Sequence, residues 1–364
     1  MSNQSLATKY RPQKFSEVCS QESIITILEN QIETNTFKQA YIFTGPAGCG
    51  KTTCARILAN EINQGKGNPI ELDAASNNSV DNIRDISNQA RMQSLDSEYK
   101  VFILDEVHML SGGAWAAMLK LIEEPPAKTI FILATTDIQK VPKTILSRCQ
   151  RFDFHKIPLD VIVNRLKFIC DVETKSIMEE MGDQDSATDI EWAREQHLPV
   201  IEYTMDAIEY IAKIADGGMR DAITLLDKCL SYSEELTLEN VVKALGVVDY
   251  KTMFDLTDAL QSSRNSDVVT IIEALYMDGK DLKQFIKQYL VFVLDICKYS
   301  VTASFNHIQI PRIYEKQLND YKAMPFVDLL NLVVHLNSEI KWESNPKALI
   351  EATFMLYGVG EWAI

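Results

Sequence analysis

The stretch at residues 41–53, YIFTGPAGCGKTT, constrains the fold of this chain more than any other. It reads as an apolar β-strand that runs into a glycine-rich loop and then into a helix. Gly45, Gly50, Lys51 and Thr52 fit the spacing G-x-x-x-x-G-K-[ST] of a phosphate-binding loop. Such glycines let successive backbone N–H groups point at one centre, and the next helix N-terminus adds partial positive charge there. A fortuitous turn is the alternative, but the flanking strand and helix favour nucleotide binding.

Side chains at the end of this loop predict how a nucleotide is held. Lys51 is expected to reach the β- and γ-phosphates, and the hydroxyl of Thr52 is expected to ligate Mg²⁺. The residues expected to bind the nucleotide through the loop are Gly45, Pro46, Ala47, Gly48, Cys49, Gly50, Lys51, Thr52 and Thr53.

Two acids, Asp105 and Glu106, directly follow an apolar strand pattern at residues 101–104. Ligands of parallel sheets bind at the carboxyl ends of the strands, so these acids suit a nucleotide site. Asp105 is expected to hold Mg²⁺ through water, and Glu106 is expected to orient and activate the attacking water. The alternative is an acidic helix N-terminus, which the helix dipole favours by itself.

Two further side chains are candidates for the same site. Thr136 follows an apolar strand at residues 129–133, where its hydroxyl can bond the γ-phosphate or the attacking water; a strand-end cap is the alternative. Arg220 lies in the first turn of a helical pattern after two glycines, where a cation opposes the helix dipole. That local conflict suggests an anion to bind, although a salt bridge to a nearby acid is also possible.

The N-terminal arm carries Tyr10, Arg11 and Val18 ahead of an amphipathic helix pattern at about residues 21–34. Two interpretations stay open for this arm. Its side chains either anchor it on the protein surface, or they form a wall against the adenine.

Composition limits the classes of function. The chain is 46% hydrophobic and 24% charged, as in ordinary globular proteins, and it is long enough for two or three domains. We expect no membrane span, no secretory signal, and reduced cysteines in a cytoplasmic protein. A net charge of −15 repels DNA on average, so DNA contact requires a local basic patch or oriented backbone dipoles.

Strand and helix patterns alternate up to Pro158, which predicts a parallel sheet with helices on both faces. Beyond Pro158 we expect helices only, interrupted by a polar and acidic stretch near residues 174–198. Gly112 and Gly113 are expected to form a hinge before a helix at residues 114–123.

Several motifs occur together and in order: KYRP, GPAGCGKT, LDAASNNSVDNIRD, LDEVHML, LATTD, ILSRC and GGMRDA. This set resembles the gamma/tau subunit family of bacterial DNA polymerase III, the AAA+ ATPases of the sliding-clamp loader. The resemblance covers about residues 6–249 with strong motifs, and it is weaker beyond, where it depends on helix content and length.

The resemblance implies three domains and a role for each motif. An α/β AAA+ ATPase domain is expected at 1–157, a helical lid at 158–247 and a helical collar at 248–364. Lys51 and Thr52 match Walker A, Asp105 and Glu106 match Walker B, Thr136 matches sensor 1 and Arg220 matches sensor 2. Arg148 of the SRC motif is implied to be an arginine finger that acts in trans, in the ATP site of the neighbouring subunit.

The chain departs from the family in two places. A zinc module with four cysteines normally follows the P-loop helix, but residues 63–69 replace it here, so we expect ATP and Mg²⁺ and no zinc. The acidic stretch near 174–198 looks like an insertion in the lid. A compact chain of this kind is expected either for a loader subunit of a bacteriophage replication system or for an expression fragment.

The partners implied by the resemblance are other clamp-loader subunits in a pentameric ring, a sliding clamp and primer–template DNA, with no membrane. Arg84 and Arg91 are candidates for DNA phosphate contacts, and solvated surface charge is the alternative for each. Trp115 either touches the clamp or packs in the core.

Two rival functions remain. One is a different AAA+ motor, such as a helicase loader or a branch-migration ATPase; the SRC motif and the all-helical last third argue against it. The other is a non-catalytic scaffold subunit of the same ring, which the intact Lys51, Glu106, Thr136 and Arg220 argue against.

Overall fold

The computed structural model describes residues 4–92, 94, 96–180, 201–322 and 324–358. The chain divides into two units. The first unit comprises residues 1–169 and 215–227, and the second unit comprises residues 170–214 and 228–364. The acidic stretch expected near 174–198 lies largely outside the described residues. The three domain boundaries expected from the resemblance stay predictions.

Five parallel strands form the sheet of the first unit, in the order β2-β3-β4-β1-β5. Every residue of the central strands β1 and β4 is buried, as expected for continuous apolar runs in a sheet covered on both faces. The parallel α/β fold is therefore confirmed. The strands are β1 Ala40–Thr44, β2 Ile70–Asp73, β3 Lys100–Asp105, β4 Thr129–Thr135 and β5 Gln150–Asp153.

Helices connect these strands and continue through the second unit. The α-helices of the described residues are α1 Leu6–Lys9, α2 Glu22–Glu33, α3 Lys51–Ile62, α4 Val80–Arg91, α5 Gly112–Glu123, α6 Lys143–Leu146, α7 Leu159–Glu180, α8 Met205–Ile214, α9 Met219–Tyr232, α10 Leu238–Leu245, α11 Tyr250–Gln261, α12 Asn265–Met277, α13 Leu282–Thr302, α14 Glu315–Tyr321, α15 Val327–Glu339 and α16 Pro346–Gly358. Short 3₁₀ turns lie at Phe15–Glu17, Val107–Met109, Ile138–Lys140, Phe305–His307 and Arg312–Tyr314.

Alternation along the strands builds a core on each face of the sheet. Tyr41 and Phe43 of β1 pack with Phe152 and with apolar residues of α2 and α3, whereas Ile42 packs on the other face with residues of α4 and α5. Successive side chains of a strand point to opposite faces, so one apolar run serves both cores. Phe43 and Phe152 meet edge to face with ring centroids 5.6 Å apart.

Register brings the carboxyl ends of all five strands of this sheet to one edge. Thr44 lies opposite Thr135 and Asp153, and Asp73 lies opposite Asp105. The loop after β1, the two acids at the end of β3 and the threonines at the end of β4 therefore gather at the same edge, where ligands of such sheets bind.

The second unit contradicts the expectation that no strand follows Pro158. Strands β6 Glu202–Tyr203 and β7 Glu235–Leu236 pair in parallel. Two-residue strands are too short to produce a readable alternation, so their pairing depends on backbone hydrogen bonds formed only after folding. One of these bonds runs from Thr204 N–H to Leu236 O at 3.0 Å.

Helix α5 begins two residues earlier than expected. Gly112 and Gly113, predicted as a hinge, form its first two positions, because the side chain of Ser111 caps the helix and accepts a hydrogen bond from Ala114 N–H at 3.3 Å. None of the described helices is both long enough and apolar enough to cross a membrane.

Candidate nucleotide-binding site

The loop between β1 and α3 requires glycine at defined positions. Gly45, Gly48 and Gly50 have φ angles of +147°, +70° and +102°. A Cβ atom on Gly45 would lie 2.3 Å from the carbonyl oxygen of Phe154, and one on Gly48 would lie 2.9 Å from the Cα of Gly218. The loop therefore curls against its neighbours as closely as backbone allows, which is the shape that presents N–H groups to an anion.

Lys51, the first residue of α3, is almost fully buried beneath this loop. Its Nζ donates hydrogen bonds to Gly45 O at 2.9 Å and to Pro46 O at 2.7 Å. The loop carbonyls thus hold the ammonium group in the concavity, beside the positive end of α3. A buried cation and a helix N-terminus at one point favour a bound phosphate chain.

Thr52 and Asp105 connect α3 to the end of β3. The Oγ1 of Thr52 donates to Oδ2 of Asp105 at 2.6 Å, and Oδ1 of Asp105 accepts from Glu106 N–H at 2.9 Å. Mg²⁺ prefers oxygen ligands and typically binds one or two protein groups together with phosphate oxygens. A hydroxyl and a carboxylate in contact beside the phosphate loop fit that requirement.

Glu106 adopts the left-handed backbone conformation, with φ of +50°. Its Oε2 accepts hydrogen bonds from Thr136 Oγ1 at 2.9 Å and from Thr136 N–H at 3.3 Å. His108 Nδ1 lies 3.2 Å from the same oxygen and 3.2 Å from Thr135 Oγ1. Two residues expected to be catalytic are thus in direct contact, and His108 also contacts this acid.

A cavity of about 620 Å³ opens from this edge of the sheet. That volume lies within the usual range of ligand sites, about 300–1,000 Å³. Of the residues predicted to bind nucleotide, metal or water, those that line the cavity are Tyr10, Arg11, Val18, Ala47, Gly48, Cys49, Gly50, Lys51, Thr52, Thr53, Asp105, Glu106 and Arg220. Gly45 and Pro46 do not line the cavity, but their carbonyl oxygens accept hydrogen bonds from Lys51. Thr136 does not line it either, but its hydroxyl donates to Glu106, which does.

The N-terminal arm is both anchored and part of the cavity wall. Leu6 N–H donates to Asp227 Oδ2 at 3.1 Å, and Arg165 Nη2 donates to Tyr10 O at 3.2 Å. Tyr10 and Arg11 then line the cavity together with Arg165. Sequence reasoning missed Arg165, because it lies in an ordinary helical pattern of α7 with no motif around it.

Cations converge on the cavity although the chain as a whole is acidic. Burial lowers the pKa of the Arg11 guanidinium, and the nearby Arg56 and Arg220 lower that pKa further. Arg220 forms no ion pair among the residues that the structure describes, and Met219 N–H beside it donates to Gly48 O at 3.0 Å. A concentration of positive charge around the phosphate loop fits a polyanionic ligand.

Arg148 lies outside this cavity. Its Nη2 is 2.8 Å from Oε1 of Glu123, and its Nη1 donates to Thr144 O at 2.8 Å and to Ser147 Oγ at 3.2 Å. The side chain keeps 40% of its surface exposed. A role in its own cavity is therefore not supported by the geometry, whereas a role toward another molecule stays open.

Three other predicted contact residues lie on α4 and α5. Arg84 and Arg91 are both exposed on α4, and Arg84 Nη1 pairs with Asp81 at 3.0 Å. Trp115 of α5 is buried in the core between the sheet and α4. Of the two interpretations given for Trp115, the structure favours core packing.

The cysteines offer no metal site within the described part of the chain. No group of three or more His, Cys, Asp or Glu side chains there could hold a metal ion. Cys54, which follows the P-loop, is fully buried, and burial raises the pKa of its thiol to about 12. The expectation of no zinc stays a prediction.

Three family models match successive parts of the chain. They are the delta subunit of DNA polymerase III at residues 62–158, the ATPase lid domain of the DNA polymerase III clamp loader subunit at 199–235, and domain III of the DNA polymerase III subunits gamma and tau at 236–332.

Curated relatives agree with these matches. DNA polymerase III subunit tau of Bacillus subtilis is 34% identical over 96% of this chain and 62% of its own length. DNA polymerase III subunit gamma of Buchnera aphidicola subsp. Acyrthosiphon pisum is 31% identical over 87% of this chain and 84% of its own length. This chain spans about half to three fifths of several longer relatives, including the tau subunit of Salmonella typhimurium at 55%.

Among solved structures, the RuvB Holliday junction branch migration motor of Thermotoga maritima superposes with a TM-score of 0.48 at 18% identity, covering 70% of this chain and 80% of that one. The resemblance expected from the motifs is confirmed by the gamma subunit, of which this chain covers most, and by the three family models. This chain belongs to the gamma/tau subunit family of bacterial DNA polymerase III.

Proposed function

We propose that this chain is an ATPase subunit of a sliding-clamp loader. The observation that carries the proposal is the meeting of a phosphate loop, a Thr52–Asp105 pair and a Glu106–Thr136 pair at one edge of a parallel sheet. Membership of the gamma/tau family supports the loader role, since one matched model describes the lid of a clamp loader subunit.

The chain's own residues divide the work of binding. The glycine loop and Lys51 would hold the β- and γ-phosphates of ATP, and the arm with Tyr10, Arg11 and Val18 would cover the adenine. Thr52 and Asp105 would hold Mg²⁺, which when bound neutralises charge that develops on the phosphates. Arg220 would approach the same phosphates from α9.

Hydrolysis needs a water placed in line with the γ-phosphate. Glu106 would orient that water and accept its proton, with Thr136 holding the carboxylate through two hydrogen bonds. Because both groups follow the ends of adjacent buried strands, the rigid sheet fixes the geometry between them. Such fixed placement is what general-base catalysis requires.

Arg148 would complete the site of an adjoining subunit as an arginine finger. A cation supplied in this way to the transition state is worth about 10³–10⁵ in rate. The guanidinium is exposed and lies outside its own cavity, which supports a role in trans. Hydrolysis would then depend on alignment of subunits in a ring, proposed as a pentamer held together by the helical collar at 248–364.

The partners in this proposal are related loader subunits, a sliding clamp and primer–template DNA. Binding of ATP would align the ATPase domains, open the clamp and grip DNA, and hydrolysis would release the clamp on DNA. Arg84 and Arg91 would contact DNA phosphates, since both are exposed on α4.

Stimulated hydrolysis by the complex that this chain forms with the loader subunits of its own cells tests the proposal. ATP turnover should rise with sliding clamp plus primed DNA and not with helicase or four-way junctions. Lys51→Met should lose ATP binding, whereas Glu106→Gln should bind ATP and stay bound to clamp and DNA without turnover. Stimulation by junctions or helicase instead would favour another AAA+ motor, and a wild-type chain that binds no ATP would favour a scaffold subunit.

A further inference from the structure

Arg148 is held at three points on its own subunit. Glu123 Oε1 lies 2.8 Å from Nη2, while Thr144 O and Ser147 Oγ accept hydrogen bonds from Nη1. The backbone of Arg148 is also fixed, because its N–H donates to the carbonyl of the buried Ile145 at 3.0 Å. These contacts restrict a long side chain that otherwise has about 2 kcal/mol of rotamer entropy to lose when it binds.

Of these three acceptors, only Glu123 is charged and distant in sequence. Thr144 and Ser147 lie within four residues of Arg148, so they move together with the segment that carries it. Glu123 lies in the last turn of α5, whose inner face is fixed in the core by Trp115 and Met118. The carboxylate therefore presents an anchor on a separate helix, which shares one core with Ile145 of the segment that carries Arg148.

The position of Glu123 is locally unfavourable. An acid in the last turn of a helix opposes the helix dipole, at a cost of about 0.3–1 kcal/mol. The pair that it forms with Arg148 is about 40% exposed on both sides. Exposed pairs contribute little to folding stability, so stability gives no strong reason for an acid here. A local conflict without a stability gain is typical of a functional position.

We infer that Glu123 is a positioning residue for Arg148: it holds the guanidinium in the orientation in which an adjoining subunit's triphosphate receives it. The inference rests on the proposed in-trans role of Arg148. Glu123 does not itself reach the reacting atoms. It acts by lowering the entropy that the arginine loses when it engages, so it should affect kcat and leave ATP binding unchanged.

The test uses the assembled complex, with clamp and primed DNA, and four variants of this chain. Glu123→Gln should lower stimulated kcat about three- to fivefold, the scale of one exposed ion pair, with KM for ATP unchanged. Glu124→Gln removes the adjacent exposed carboxylate from the same helix end and should leave kcat at the wild-type value. Glu123→Gln combined with Arg148→Ala should match Arg148→Ala alone, because the acid acts only through the arginine.

The outcomes separate the two levels of the proposal. If Arg148→Ala lowers stimulated kcat but Glu123→Gln does not, or raises it, the positioning role is wrong and the in-trans role stands. A further loss when Glu123→Gln is added to Arg148→Ala also overturns the positioning role, since the acid then acts elsewhere. If Arg148→Ala keeps full stimulation, both fall together.

Discussion

Backbone atoms that approach too closely for a side chain decide the shape of the phosphate loop. Gly45 combines a φ of +147° with the carbonyl of Phe154 immediately beside its Cα hydrogen. Gly112 differs in both respects, because it occupies the first position of α5 and a Cβ there would meet nothing within 4 Å. Replacement by alanine should therefore have opposite effects on stability at these two positions.

Gly45→Ala should destabilise the protein by about 1–3 kcal/mol and abolish ATP binding, because the methyl group forces the loop away from its neighbour. Gly112→Ala should leave ATP binding unchanged and raise stability by about 0.4–1 kcal/mol, because alanine reduces the freedom of the unfolded chain. Urea unfolding and equilibrium ATP binding measure both effects. Wild-type ATP affinity in Gly45→Ala would contradict the described loop.

Single residues also mark the limit of what the sequence reveals about the site. Lys51, Thr52 and Asp105 belong to motifs whose spacing carries their chemistry, so their gathering at one edge could be predicted. Arg165 and Glu123 could not, because each lies in an ordinary helix and gains its role from a partner more than twenty residues away in sequence. Distant contacts of this kind leave no local pattern.

Among the elements, the N-terminal arm depends on helices far along the chain. Arg165 of α7 binds the carbonyl of Tyr10, and Asp227 of α9 binds the N–H of Leu6. These two bonds help to hold the arm where Tyr10 and Arg11 line the cavity. Movement of either helix would therefore move the proposed adenine wall.

Arg165→Met should weaken ATP binding about three- to tenfold, because it removes a charged hydrogen-bond donor that holds the arm over the cavity. Turnover at saturating ATP should change little, since the residues proposed for hydrolysis stay in place. Lys167→Met, two residues along the same helix and outside the cavity lining, serves as the control. Titration of ATP into each purified variant measures the change, and equal affinities for the two variants would contradict a role of Arg165 in holding the arm.

The existence of the long elements followed from sequence, although the start of α5 was placed two residues too late. Strands β1, β3 and β4 are apolar runs of four or more residues, which is why the sequence predicts them. The pair β6–β7 was missed because two residues carry no period. Beyond Pro158, where only helices were expected, the chain also contains a 3₁₀ turn at Arg312–Tyr314. Local hydrogen bonding and tertiary contacts decide such short elements.

Considered as a whole molecule, the chain carries a net charge of −15, yet the proposed function requires contact with DNA. Because the negative surface repels DNA on average, DNA binding should depend on a few local positive side chains. Arg91 lies in the last turn of α4, where the helix dipole favours a cation. Arg84 forms an ion pair with Asp81, which offsets part of its positive charge. The proposed DNA contact therefore involves few positive charges of this subunit. Strong DNA binding should require the whole complex rather than this subunit alone.

Arg84→Ala combined with Arg91→Ala should weaken primed-DNA binding by the ATP-bound complex and reduce the slope of log K against log salt by about 1–2, because each phosphate contact releases condensed counterions. The loss should be similar for unrelated DNA sequences, since phosphates carry no base information. Binding curves at several salt concentrations measure the slope. An unchanged slope would mean that both arginines are solvated surface charges.

At position 106, thermal stability favours glycine, whereas the proposed ATP hydrolysis requires glutamate. The left-handed backbone at Glu106 costs about 1 kcal/mol for any side chain with a Cβ, and glycine would remove that cost. A library selected only for survival at high temperature should therefore accept glycine here, and a library selected for hydrolysis should reject it.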